Sequence, residues 1–304
     1  MSVPRPNFLI VGVAKCGTTA LASILGAHPD CCMSNPKETC FFTKKEFDED
    51  YNSHLAWYES CWSHYKGEKF IGEATPAYAN RRPDNRTVNR IFGFNPDMKI
   101  ILMARDPLEK QMSAWKMYYY MGLNRRFSEK VQARWAMRGF DYYMRKTKET
   151  GQWRTCLFSD QLEAYAIRFP AEHICVSFLE DWMPDKWPEV SRIMGFLGLD
   201  PEKWEESDNL NENKASLRMV NRPLVRAICS TAAGAKVISL IPEGLKRLGR
   251  PHFGAVPVEY DPVKAQLSSR TRQEFKDFVS ADARRFLAAH GKSPDFWKSV
   301  AASG

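Results

Sequence analysis

The sequence has few features of a metalloprotein, a secreted protein or a membrane protein. Its eight cysteines form no CxxC pair and show no Cys/His spacing typical of zinc sites, so we expect no metal. The longest stretch without a charge, 16–29, has 14 residues, fewer than the roughly 20 that a membrane-spanning helix needs. The first residues do not combine a basic segment with an apolar one, as a secretory signal does. We therefore expect a cytoplasmic protein with reduced cysteines and no membrane span.

Repeats, low-complexity segments and convincing linkers are also missing from the 304 residues. With 44% hydrophobic and 26% charged residues, the composition is that of a globular protein and excludes a disordered or collagenous chain. The length allows one large or two small domains. We expect a single domain over residues 1–304.

The charge balance indicates an anionic partner. The chain has 44 Lys and Arg against 36 Asp and Glu, a formal net charge of +8. A nucleotide, an acidic glycan, a nucleic acid and an acidic membrane all fit this surplus. The basic residues are dispersed, with only short pairs such as Arg81-Arg82, and we expect no nucleic-acid partner. The oligomeric state is not indicated.

Short apolar runs alternate with stretches of helical spacing. The runs, which predict buried strands, are 8–11, 70–72, 99–103 and 174–178. The stretches that predict helices include 19–27, 55–62, 108–121 and 161–169. This alternation is typical of βαβ units and predicts an α/β protein with a central parallel sheet flanked by helices.

The first predicted strand leads into a loop that is suited to anion binding. The strand ends at Gly12, a helix begins at Thr18 or Thr19, and Lys15 and Gly17 lie between. The first N–H groups of a helix have no internal partner, the helix dipole is positive there, and the two glycines permit close approach of the backbone. The segment therefore predicts a phosphate loop.

Two alternatives to that interpretation stay open at this point. In the triphosphatase loop G-x-x-x-x-G-K-[ST] a lysine follows the second glycine; here Thr18 follows Gly17 and the lysine is inside the loop, at Lys15. A kinase or triphosphatase would also need an Asp-terminated strand to hold Mg²⁺, and Asp106 comes near the end of a predicted strand. The second alternative is an anion-binding module without catalysis.

A series of segments resembles the sulfotransferases that use 3′-phosphoadenosine 5′-phosphosulfate (PAPS), and most of all the branch that sulfates heparan sulfate and other carbohydrates. In chain order they are Lys15-Cys-Gly-Thr-Thr-Ala-Leu, Lys37-Glu38-Thr-Cys-Phe-Phe, Trp57-Tyr58, Glu73-Ala-Thr-Pro-Ala-Tyr, Arg105-Asp-Pro with Ser113, Gly195-Phe-Leu-Gly-Leu and Gly249-Arg250-Pro-His. The resemblance implies a P-loop-like three-layer α/β fold and transfer of a sulfuryl group from PAPS, without a metal.

The resemblance also implies binding residues for the two ends of PAPS. The 5′-phosphosulfate would be held by the loop residues Lys15, Cys16, Gly17, Thr18, Thr19 and Ala20. The 3′-phosphate would be held by Arg105, which follows a predicted strand, and by Ser113, eight residues further on. A late loop would close over the nucleotide with Gly249 and Arg250.

Catalysis needs a base for the acceptor proton and a cation for the leaving phosphate. The resemblance implies Glu38 as the general base, and Lys15 is placed to stabilise the leaving group. Glu73 is a second candidate, as a base or as the residue that orients a lysine or a substrate hydroxyl. His64 and His252 are weaker candidates for acid–base work.

The chain departs from the family pattern at three places. Ala74 stands where a lysine often follows the glutamate, and Cys40 stands where some members have histidine. Leu248 replaces a common lysine, and no cysteine follows Cys229, so the disulfide that often braces the late loop is not expected. These departures leave the acceptor open.

The acceptor is expected to be a saccharide or a small molecule with a hydroxyl or an amine. Four aromatic residues are available to stack on a sugar ring or a planar metabolite: Trp57, Trp115, Tyr118 and Trp153.

Overall fold

The structure is a computed structural model that describes residues 5–80, 84–123, 130–183, 185–205, 219–221, 255–257 and 260–301. Five strands form its main sheet: β1 (Phe8–Gly12), β2 (Cys31–Met33), β3 (Phe70–Glu73), β4 (Lys99–Ala104) and β5 (Ile174–Phe178). They are all parallel, in the order β2-β3-β1-β4-β5. The predicted α/β class is confirmed. Strand β2 was not predicted, because three residues are too few to show a hydrophobic run.

Helices flank the sheet, and four of them match the predicted helices within a few residues at each end. The described helices are α1 (Thr18–Leu25), α2 (Glu46–Glu49), α3 (Tyr51–Ser60), α4 (Arg86–Phe94), α5 (Pro107–Leu123), α6 (Val131–Met137), α7 (Phe140–Glu149), α8 (Phe158–Ala166), α9 (Trp187–Leu197) and α10 (Ser269–Ala289). Short 3₁₀ helices include Phe41–Thr43, Pro76–Ala79 and Leu179–Trp182.

Strand β1 is the centre of the sheet, and its position decides where a ligand can bind. All five of its residues are buried, and Phe8 pairs with Gly72 of β3 on one side and with Lys99 of β4 on the other. Strand β2, which follows β1 in the sequence, lies two places from β1 on one side, and β4 lies next to β1 on the opposite side. The direction in which strands are added to the sheet therefore reverses at β1. In open α/β sheets, ligands bind at the carboxyl ends of the strands near such a reversal. The loops that follow β1 and β4 are therefore the expected binding loops.

The chain forms two compact units. The first consists of residues 1–110, 155–213 and 279–304 and contains the five-stranded sheet. The second consists of residues 111–154 and 214–278 and contains an antiparallel pair, β6 (Met219–Asn221) and β7 (Ala255–Pro257). In the second unit Trp115 is buried against Phe140, and Trp153 is buried against Phe275. The single domain over residues 1–304 stays a prediction.

Candidate functional site

The loop after β1 has a backbone that only certain residues adopt easily. Gly12 and Gly17 have φ values of 154° and 96°, and Lys15 has a φ of 73°. A Cβ on Gly12 would lie 2.5 Å from the Cβ of Ala79, and one on Gly17 would lie 2.8 Å from Cδ1 of Leu179. Both glycines therefore allow the loop to lie against its neighbours in a conformation that disfavours other residues.

Helix α1 presents its first turn to this loop. Gly17 precedes the helix and, having no side chain, cannot cap the N–H groups of Thr18, Thr19 and Ala20. Such N–H groups, together with the positive end of a helix dipole, are the kind of element that binds anions in proteins, as the sequence predicts for this turn. Burial raises the pKa of the Cys16 thiol to about 12, so Cys16 stays protonated, and its N–H donates to the Val13 carbonyl oxygen at 3.1 Å. The residues predicted to form the phosphate loop therefore lie in one short segment that joins β1 to the first turn of α1.

The loop after β4 touches the phosphate loop through its arginine. Arg105 Nη1 donates to the Lys15 carbonyl oxygen at 3.5 Å. Its Nη2 pairs with Glu109 at 3.2 Å, and about a quarter of the side chain is exposed. The two predicted anion-binding loops are therefore neighbours, and the guanidinium is partly open to a ligand.

Asp106 holds the Arg105 loop in place. Its buried Oδ1 accepts from the backbone N–H groups of Leu108 and Glu109, at 2.9 and 3.2 Å, and so caps helix α5. Its Oδ2 accepts from the Ser299 N–H at 3.0 Å. The Asp106 N–H donates to Glu180 at 2.7 Å, and burial raises the pKa of the Glu180 carboxyl above its ordinary value. Both carboxylate oxygens of Asp106 therefore accept hydrogen bonds from backbone N–H groups and stabilise this part of the fold.

The side chain of Glu73 is fully buried at the end of β3. Four hydroxyl groups donate to it at 2.6–2.8 Å, from Thr39, Thr75, Tyr58 and Tyr78. Burial raises the pKa of Glu73 above its ordinary value, while the four hydrogen bonds act in the opposite direction. The structure therefore gives Glu73 no exposed oxygen with which to touch an acceptor.

The Glu73 cluster, defined as Glu73 with those four hydroxyl residues, binds the chain that follows Glu38. The N–H of Thr39 donates to Glu73 Oε2 at 3.4 Å, and that of Cys40 donates to Thr75 Oγ1 at 3.2 Å. The N–H of Phe42 donates to the Tyr78 hydroxyl at 3.4 Å. Sequence reasoning gave Glu73 a catalytic role and missed these partners. Thr75 and Tyr78, which follow Glu73 in the same segment, were the sequence feature that could have indicated these hydrogen bonds.

Glu38 lies next to this cluster but faces outward. About half of its side chain is exposed, and Oε1 pairs with Lys37 Nζ at 2.8 Å. The same Lys37 Nζ donates to Thr19 Oγ1 at 3.2 Å. The candidate base is therefore connected to the first turn of α1 through one lysine, for which the sequence indicated no separate role.

A column of stacked rings extends from the Glu73 cluster to the surface. Phe41 stacks on Tyr58 at 4.0 Å and on His54 at 4.6 Å, and His54 stacks on Trp57 at 5.5 Å. Lys44 Nζ lies 3.8 Å from the centre of the Trp57 ring. Trp57 is 37% exposed and is the member of the four predicted stacking aromatics that belongs to this unit, but His54 and Lys44 already lie against its ring.

The other predicted residues have different surroundings or lie outside the described part of the chain. Trp115 and Trp153 are buried in the second unit, where their indole N–H groups donate to Ala136 and Thr147; as core residues they are not available for stacking on an acceptor, which corrects that expectation. His64 Nε2 donates to the Met33 carbonyl at 3.0 Å on the surface. Ser113 is half-buried on α5, as is Tyr118. Gly249, Arg250 and His252 lie outside the described residues.

A cavity of about 890 Å³ lies elsewhere, along β5, and is lined by side chains of α8, β5 and α9. It contains no residue of the phosphate loop or of the Glu73 cluster. In the described parts of the chain, no group of three or more His, Cys, Asp or Glu is arranged to hold a metal. No helix within these parts has the length and apolar character needed to cross a membrane, and none of the seven described cysteines forms a disulfide.

Comparison with known proteins identifies the relatives of this chain. Residues 5–225 match the family described as the sulfotransferase domain, a range that includes Lys15, Glu38, Glu73, Arg105 and Ser113 but ends before Gly249. The chain is 30% identical over 197 residues to human heparan sulfate glucosamine 3-O-sulfotransferase 6, covering 64% of this chain and 52% of the relative. It is 34% identical over 113 residues to the membrane-associated sulfotransferase kil1 of Dictyostelium discoideum, covering 36% and 22%.

The chain thus spans about half the length of the first relative and about a fifth of the second. A crystal structure of a sulfotransferase from Alicyclobacillus acidocaldarius has the same fold, with a TM-score of 0.62 and 23% identity over 97% of this chain and all of that one. The chain belongs to the sulfotransferase-domain family.

Proposed function

We propose that the protein transfers the sulfuryl group of PAPS to a hydroxyl, or an amine, of a saccharide or small-molecule acceptor. The observation that carries the proposal is the contact between the two anion-binding loops. Arg105 Nη1 lies 3.5 Å from the Lys15 carbonyl oxygen, while helix α1 turns its uncapped first N–H groups toward the same loop. A donor with a phosphosulfate at one end and a 3′-phosphate at the other needs two such elements side by side.

The proposed reaction is an in-line transfer. The acceptor oxygen forms a bond to sulfur as the bond between sulfur and the bridging oxygen breaks, and the electron pair stays on the 5′-phosphate of the product, 3′-phosphoadenosine 5′-phosphate (PAP). Lys15 stabilises that phosphate. Glu38 accepts the acceptor proton, and its half-exposed carboxylate is accessible for this task. PAPS is a substrate here, and no step uses a metal.

The proposed roles of the remaining residues follow from their surroundings or from the family resemblance. Gly17, Thr18, Thr19 and Ala20 offer N–H groups to the phosphosulfate, and Cys16, whose own N–H donates to the Val13 carbonyl oxygen at 3.1 Å, is a proposed contact on the family resemblance alone. Arg105 binds the 3′-phosphate, and Ser113 is a proposed 3′-phosphate contact on the family resemblance alone. Gly249 and Arg250 are retained as proposed nucleotide contacts on resemblance alone.

Glu73 is proposed as a positioning residue instead of a base. Its carboxylate is fully buried, and its cluster binds the backbone that follows Glu38. This arrangement fixes the backbone that directly follows the outward-facing Glu38.

A saccharide is the favoured acceptor, because the named activity of several relatives is sulfation of heparan sulfate glucosamine. The Lys44 ammonium, which lies against the exposed Trp57 ring, is compatible with a negatively charged sugar. The cytoplasmic location stays a prediction, and one relative is named as membrane-associated.

A kinase or triphosphatase is disfavoured by Asp106. Its Oδ1 caps α5 and its Oδ2 accepts from Ser299, so the residue that would have to hold Mg²⁺ at the end of β4 is engaged by the backbone.

The test is a transfer assay with PAPS labelled in its sulfuryl group. The acceptors are desulfated heparan sulfate, a neutral oligosaccharide, a phenol and an amine, each with and without a metal chelator. The proposal expects label on at least one acceptor, unchanged by the chelator. No label on any acceptor together with hydrolysis of ATP would contradict it.

A further inference from the structure

Lys37 connects the two halves of the candidate transfer site. Its ammonium donates to Thr19 Oγ1 at 3.2 Å and pairs with Glu38 Oε1 at 2.8 Å. Thr19 belongs to the first turn of α1, and Glu38 is the proposed base. About a quarter of the Lys37 side chain is exposed, which is less than for Glu38.

The backbone of Lys37 is also fixed in place. Its carbonyl oxygen accepts from the Ala74 N–H at 3.2 Å, directly after β3, and from Ser34 Oγ at 3.2 Å, directly after β2. The lysine is therefore held by the ends of two sheet strands. A surface lysine in an ordinary ion pair has no such anchoring, and its exposed pair contributes little.

The position of the ammonium matches a need of the reaction. A sulfuryl donor is anionic, and so is the Glu38 carboxylate, so a base brought close to the donor is repelled unless a cation stands between them. An ammonium has three N–H donors. Two of them make the described contacts with Thr19 and Glu38, and a third can reach an oxygen of an anion bound at Thr19.

We propose that Lys37 is a catalytic residue of the sulfuryl transfer, whose ammonium contacts the sulfuryl oxygens while it holds the Glu38 carboxylate beside them. The inference rests on the proposed function. Lys37 keeps its proton throughout: the acceptor proton goes to Glu38, the new bond joins the acceptor oxygen to sulfur, and the broken bond leaves its electrons on PAP. The charge of Lys37 acts on the transferring group, whereas Lys15 acts on the leaving phosphate.

The variants that test this role are Lys37→Met and Lys37→Arg. Lys37→Met keeps the length of the side chain and removes the charge, and Lys37→Arg keeps the charge. Lys45→Met is the matched control, because Lys45 is 77% exposed and pairs only across a surface helix with Glu49 at 3.5 Å among the described contacts. A second neutral variant, Lys37→Gln, is made in case the methionine variant does not fold.

Two quantities are measured on each folded variant: kcat for the acceptor that the wild type labels, and the Kd of PAP by calorimetry. PAP lacks the sulfuryl group, so the inference expects a kcat at least a hundredfold lower in Lys37→Met or Lys37→Gln, with the Kd of PAP changed less than threefold. Lys37→Arg recovers at least a tenth of the wild-type kcat, and Lys45→Met matches the wild type.

A kcat within threefold of the wild type in the neutral variants overturns the role of Lys37 and leaves the proposed function standing. An equal loss of kcat and of PAP affinity also overturns it, because that pattern belongs to a residue that only shapes the loop. A wild-type protein that transfers no sulfuryl group to any acceptor overturns the proposed function itself, and the role of Lys37 with it.

Discussion

Arg105 lies against Lys15, with its Nη1 3.5 Å from the Lys15 carbonyl oxygen, although 90 residues separate them in the sequence. The contact exists because β4 pairs directly with β1, so that the loops at their carboxyl ends meet. We expect a ligand bound by both loops to carry anionic groups at two places. This relationship connects the fold to the proposed donor and is the basis of the predictions below.

Replacing Lys15 by alanine is expected to lower turnover by about a hundredfold or more, because removal of one preorganised charge at a developing anion typically costs about 10²–10³ in kcat. The measurement is the initial rate of sulfuryl transfer at saturating PAPS. Lys66→Ala, at an exposed position outside the helices and strands, is the control and should keep the wild-type rate. A near-normal rate for Lys15→Ala would remove the proposed role of Lys15 in stabilising the leaving phosphate.

Glu38→Gln and Glu73→Gln distinguish the base from the positioning residue. The exposed Glu38 is expected to lose about 10²–10⁴ of turnover, as is typical for loss of a general base, with unchanged PAP affinity. Glu73→Gln keeps a hydrogen-bond acceptor inside the cluster and is expected to lose less than about tenfold, since it does not touch the acceptor. Rates and PAP affinities are compared for the pair. The reverse order of the two losses would make Glu73 the base.

The pH dependence of stability gives an independent test of the Glu73 cluster. Burial raises the pKa of this carboxyl in the folded protein, so the folded state binds its proton more tightly than the unfolded chain does. Its contribution to the free energy of unfolding is therefore greatest below the ordinary pKa of glutamate and declines as the pH rises through the raised value.

Glu73→Gln removes this one titration while the other buried carboxyls, such as Glu180, stay in place. Denaturant unfolding from pH 4 to pH 8 should show a smaller decline with rising pH in the variant than in the wild type. If the free energy of unfolding declined equally with pH in the variant and the wild type, Glu73 would titrate in the folded protein as it does in the unfolded chain.

Gly17→Ala tests the geometry of the phosphate loop. A Cβ at φ 96°, 2.8 Å from Leu179, is expected to cost about 1–3 kcal/mol in backbone strain and to weaken PAP binding by about tenfold as the first turn of α1 shifts. Gly67→Ala is the control: its φ is 109°, but nothing lies within 4 Å of the added Cβ. Both variants should lose stability in thermal unfolding, and only Gly17→Ala should lose affinity. Equal PAP affinity in the two would contradict the loop assignment.

The sequence predicted the parts of the fold that depend on local pattern. Strand β5 was predicted at its observed bounds, and β1, β3 and β4 each to within one residue, because buried parallel strands are continuous apolar runs. The loop between β1 and α1 was equally visible, since Gly12, Lys15 and Gly17 are neighbours in sequence, and its role as a phosphate loop stays a prediction.

What the sequence did not show depends on long-range packing. Glu38 and Glu73 are similar carboxylates in sequence, and only the fold shows that one faces outward and the other is buried among four hydroxyls. The aromatic residues Trp115 and Trp153 resembled ligand-stacking residues, but their burial is decided by tertiary contacts. The contact of Lys37 with Thr19 crosses from the end of β2 to α1 and has no local signal.

The most direct measurement is a calorimetric titration with PAP beside ADP, each with and without Mg²⁺. If the loops that contain Lys15 and Arg105 bind the two ends of a bisphosphate nucleotide, PAP binds more tightly than ADP and Mg²⁺ changes nothing. Preference for ADP with Mg²⁺ would mean that the loop after β1 holds a polyphosphate chain, and the sulfuryl-transfer account would be wrong.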